Sequence, residues 1–71
     1  MTRAPDWSEE EFRLLLSEPH TPSTTLQARL PRRSIEAIDL VRQGVEEFRT
    51  TGSSPMLSQM MVRVLEENEV R

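Results

Sequence analysis

Two groups of charged side chains carry whatever chemistry this chain can perform. Arg29, Arg32 and Arg33 fall close together, in a stretch between Pro19 and Ile35 that holds no acidic residue and includes His20. Guanidinium groups beside a helix start can grip phosphate oxygens, the helix end adding its own positive potential. The same arginines could equally pair with carboxylates of a neighbouring helix as surface salt bridges. The second group is acidic: Glu36, Asp39, Glu46 and Glu47, with Gln43 and Leu40 among them. These positions share one side of a 3.6-residue period, so a helix over them would present carboxylates around one apolar side chain.

Catalytic chemistry finds no comparable set. His20 is the only histidine and there is no cysteine, so neither a thiolate metal site nor a cysteine nucleophile can be assembled. The two glycines, Gly44 and Gly52, do not form a phosphate-cradling loop. Glu9, Glu10 and Glu11 stand where carboxylates favour a helix start, not where burial would tune them for acid–base work. The expectation is a non-enzymatic protein without metal, cofactor or small-molecule substrate.

The elements that position these groups are helical. Ser8 is an N-cap with Glu11 three residues on, closing a capping box, and Phe12, Leu15 and Leu16 form one apolar face beneath Trp7. Pro19 ends this first helix near Ser17 or Glu18. Thr21 as cap and Pro22 at the first helical position open a short second helix carrying Leu26, Ala28 and Leu30, ended by Pro31. Ser34 caps a third, from Ile35 to about Phe48, with its stripe at Ile38, Val41, Val45 and Phe48. The TTGSS run at 50–54 reads as a linker. Ser54 and Pro55 repeat the cap-plus-proline start for a fourth helix over 55–71, with Leu57, Met60, Met61, Val64 and Leu65 on one side and a frayed end from Glu66. The expected organisation is a flexible arm (1–6), a helical core (7–49), the linker and the C-terminal helix.

WSEEEFRLLL at Trp7–Leu16 followed by LPRRSIEAI at Leu30–Ile38 resembles the Myb/SANT family of three-helix domains. In that family the first helix opens on Trp, Ser or Thr and acidic residues, and the second ends in a phrase such as LPGRS. The resemblance covers about residues 7–48. Trp7 alone stands for the family's spaced core aromatics, and Arg32 replaces the elbow glycine. It implies an all-α fold: a helix-turn-helix core plus, in this chain, a fourth helix outside the pattern. It also implies that the third helix could enter a DNA groove, with Asp39, Leu40 and Gln43 at the base-facing positions.

Composition tips the balance away from DNA. The chain has 71 residues, 12 acidic and 9 basic, for a net charge of −3; every basic residue is arginine. A face of four carboxylates opposes a polyanion whose phosphates supply much of the binding energy. The leading expectation is a small adaptor docking on a protein, through Glu36, Asp39, Leu40, Gln43 and Glu47, through Met60 and Met61 on the fourth helix, or both. Basic and nucleic-acid-associated proteins are the natural partners. The alternative is a DNA-binding regulator with Arg29, Arg32, Arg33 and Arg42 on phosphates and Gln43 on a base. A third reading is a subunit forming a homodimer through Met60, Met61 and Val64, methionine suiting an adaptable contact. With no signal-peptide pattern and no apolar run of about 20 residues, a cytoplasmic location without membrane contact is expected.

Overall fold

Local signals explain where each helix begins, and the computed structural model describes residues 7–69. Four helices follow in order: α1 (Glu9–Ser17), α2 (Ser23–Gln27), α3 (Ile35–Thr51) and α4 (Gln59–Glu69). The protein is all-α, with no strand among the described residues. The expected arm at 1–6 and the last two residues of the expected fourth helix lie outside them.

The capping box of α1 forms as its sequence requires. The Glu11 amide donates to Ser8 Oγ at 3.1 Å, and the Ser8 amide donates to Glu11 Oε1 at 3.0 Å. Two amides that the helix cannot satisfy internally are thus paired. Ser34 does half of this for α3, accepting from the Ala37 amide at 3.0 Å.

Five boundaries differ from the sequence reading, one of them the end of α2, which stops at Gln27 and leaves Ala28 and Leu30 outside the helix. Thr21 does not cap α2: its hydroxyl donates to Glu18 Oε1 at 2.7 Å, and Pro22 takes the N-cap position, its carbonyl accepting from Leu26. α3 passes the expected end at Phe48 and takes up two of the five residues of the expected linker. Thr50 and Thr51 remain helical while their hydroxyls donate to the carbonyls of Glu46 and Glu47. The helix stops at Gly52, whose φ of 89° is a left-handed conformation that glycine adopts without penalty.

Another difference is the start of α4. Ser54 and Pro55 do not open it; they lie in the connection, where Ser54 is buried and donates to Glu47 Oε1 at 2.9 Å. Ser58 caps instead, its hydroxyl accepting from the Met61 amide at 3.3 Å and its carbonyl from the Val62 amide at 3.0 Å. At the other end α4 runs helical through Glu69, past the fraying expected from Glu66.

One core draws on every helix. Phe12, Leu26, Ile38, Val41, Met61, Val64 and Leu65 are wholly buried, and Trp7, Leu15, Leu30, Val45 and Leu57 nearly so. α2 packs on α3 and α4 on α1. Each large aliphatic side chain so buried stabilises the fold by about 1.5–3 kcal/mol, and three of the seven wholly buried side chains come from α4. The fourth helix is therefore part of the core rather than an appendage to it.

Candidate functional site

The basic elbow is built inward. Arg33 lies beneath α1, its side chain 12% exposed, with Nη2 2.7 Å from Glu11 Oε1 and Nε 3.3 Å from Glu11 Oε2. Its guanidinium also stands over the Trp7 ring, 4.9 Å from the centroid. Fork-shaped pairing and flat stacking on an indole are what a guanidinium offers and an ammonium does not. The Arg33 hydrogen bond, opposed by partial burial, holds the Glu11 carboxyl below its ordinary value of 4.5.

The other elbow arginines divide. Arg29 pairs with Glu18 at the end of α1. Thr21 and then Arg29 hold the Glu18 carboxyl below its ordinary value. Arg42 reaches from α3 to two elements, donating through Nη2 to the Glu18 carbonyl at 2.8 Å and through Nη1 to Ser23 Oγ at 3.1 Å. Arg32 alone is exposed with no hydrogen bond or ion pair among the described residues; it acts on Glu11 through its charge only. Of the four arginines expected on phosphates, Arg29, Arg33 and Arg42 thus tie α1 to the elements after it.

The acidic side of α3 stays outward. Glu36, Asp39, Leu40, Gln43, Glu46 and Glu47 are all exposed. Leu40, at 52%, is the exposed large hydrophobic residue among those described. Asp39 accepts from the Ser23 hydroxyl, and Glu47 from Ser54. Glu36 and Glu46 have no cationic partner among the described residues. Glu10 on α1 and Glu66 on α4 likewise lack one, whereas Glu9, Glu11, Glu18 and Glu67 each meet an arginine.

The two α4 methionines separate. Met61 is wholly buried, and with Val64 it fills the interior of the fold; neither side chain reaches the surface. Met60 is half-buried against that core. Leu14 of α1 is likewise partly buried and packs against the core.

Sequence reasoning missed the connection before α4. Gly44, buried in the middle of α3, lets this connection approach closely. A Cβ built there would stand 2.7 Å from Met56 Sδ, 2.8 Å from its Cγ and 3.0 Å from Leu57 Cδ2. A glycine isolated within a strongly helical stripe is the one signal that could have pointed to it.

Among the described residues no group of histidine or carboxylate side chains is placed to hold a metal ion, and no helix is long and apolar enough to cross a membrane. Compared with known proteins, the chain matches no family model, no curated protein and no solved structure.

Proposed function

We propose that this protein is a small, non-enzymatic interaction module with a Myb/SANT-like helical core, docking on a basic protein surface through the outer face of α3. One contrast carries the reading. Three of the four arginines that could have met phosphates are used within the chain, on Glu11, Glu18 and Ser23, while Glu36 keeps an exposed carboxylate without a cationic partner one turn from the exposed Leu40.

Electrostatics gives the preference its direction. Carboxylates along α3 draw a cationic surface and set its register, raising the on-rate more than the affinity. The same charges repel a nucleic-acid backbone, and Arg32 alone does not offset them. Oligomerisation through Met61 and Val64 would require both side chains to leave the core, so a homodimer is not favoured.

A titration with random-sequence duplex DNA at low salt separates the two main readings. The adaptor reading expects no saturable binding. Binding that weakens steeply with salt and is lost in Arg32→Ala would move the function to the elbow.

A further inference from the structure

We infer that the partner segment is a cationic amphipathic helix that seats one apolar side chain on a spot built jointly by Leu40 and Met56. This rests on the docking role proposed for α3 and names the chemistry of its partner.

Leu40 and Gly44 are one turn apart and therefore neighbours on the helix surface. Gly44 contributes no side chain, and the Met56 thioether occupies the space that a Cβ at Gly44 would claim. The half-exposed Leu40 and the half-buried Met56 thus flank the same position, one from α3 and one from the connection that follows it. Methionine is unbranched and polarisable, so it adapts to the side chain placed against it.

Two carboxylates and one neutral amide border this spot on the α3 side. Glu36 lies one turn before Leu40, Gln43 one turn after and Glu47 two turns after. Glu36 and Glu47 are spaced about 16 Å along the axis, at 1.5 Å per residue. An apolar centre within a charged border is the anatomy of a binding hot spot. A helix with an aliphatic residue and Lys or Arg one to two turns to either side matches it in charge and spacing. An extended polyanion matches neither.

The test uses the whole chain and two fluorescent helical peptides of equal positive charge. One carries a face of leucines among lysines; the other has alanine in place of every leucine. The leucine peptide is expected to bind more tightly. Leu40→Ser, an exposed substitution that leaves the core intact, and Met56→Ser should each weaken it by about fivefold or more without altering the alanine peptide. Glu36→Gln should weaken both peptides, and Glu10→Gln, on α1, neither. Thermal melts check that the variants fold, and the Leu40 arm decides the matter even if Met56→Ser loosens its connection. Equal binding of the two peptides with no effect of Leu40→Ser overturns the apolar seat and leaves an ionic docking face. Failure of both peptides to bind, or indifference of both to Glu36→Gln, overturns the docking face itself.

Discussion

The Glu11 carboxylate does two jobs at once: it accepts from the Ser8 amide to close the α1 capping box and, at 2.7 Å, from Arg33 at the turn before α3. One side chain thus starts the first helix and fixes the position of the third. Arg33 in turn spreads over Trp7. The orientation of the α3 outer face follows from this knot, because Arg33 immediately precedes the Ser34 cap of α3.

Removing Arg33 should therefore act as a core substitution rather than a surface one. Arg33→Ala is expected to destabilise by about 1–3 kcal/mol, since it leaves a largely enclosed carboxylate without its charged partner. For a domain of this size each kcal/mol lowers Tm by about 4–8 °C. Arg33→Lys should lose more than half as much, because an ammonium cannot fork or stack. Calorimetric melts of both variants against Arg32→Ala, expected to be near neutral, check this. Three indistinguishable melts would contradict it.

The same pairs set a pH dependence. Folding lowers the pKa of Glu11 mainly through Arg33, of Glu18 through Thr21 and Arg29, and of Glu9 through Arg13. The folded state therefore binds these protons less tightly than the unfolded state. Their contribution is complete above the ordinary carboxyl value of 4.5 and is lost as pH falls through the lower folded values. Urea midpoints should be flat from about pH 6 to 8 and decline below about 4.5. In Glu11→Gln the acid decline should be shallower, from a lower plateau.

The two glycines should respond differently to alanine. At Gly52 nothing lies within 4 Å of an added Cβ, yet φ is 89°, so Gly52→Ala should cost about 1 kcal/mol through backbone strain alone. At Gly44 alanine gains about 1 kcal/mol of helix propensity and loses it again by displacing Met56. Paired with Met56→Ala the gain should reappear, giving a coupling of about 0.5 kcal/mol or more in a double-mutant cycle. Additive effects would show that Met56 does not rest on Gly44.

Met60 and Met61 separate core from surface on α4. Met61→Ala should cost about 2–5 kcal/mol, enough to unfold much of a domain this small. Met60→Ala should cost less than about 1 kcal/mol. Chemical denaturation of the two variants measures both, and similar losses would mean that α4 is not seated as described.

Much of the helical plan is legible because its signals are local. Ser8 with Glu11, Ser34, and the spacing of Ile38, Val41 and Val45 each act within a few residues. The failures arise where local signals compete. Ser54–Pro55 has the form of a helix start, but Ser58 offers a cap one turn later, and Ser54 finds Glu47 and a buried place instead. Thr21 meets Glu18 before it can serve α2. The arginines were harder still, since their partners lie 11 to 24 residues away in sequence, and nothing in the LPRRS phrase distinguishes the inward Arg33 from the outward Arg32. Which side of α3 points out was legible from its period. That Met56 joins that side was not, because it depends on the path of a connection.

The central claim is that partners meet the α3 face and not the elbow. Its most direct test places a photo-crosslinking residue at Gln43 or at Arg32 in cells of the source and maps the adducts by mass spectrometry. The account predicts adducts from position 43 whose cross-linked segment is a basic helix of a protein, and none specific to position 32. Nucleic-acid adducts from position 32, with position 43 silent, would contradict it.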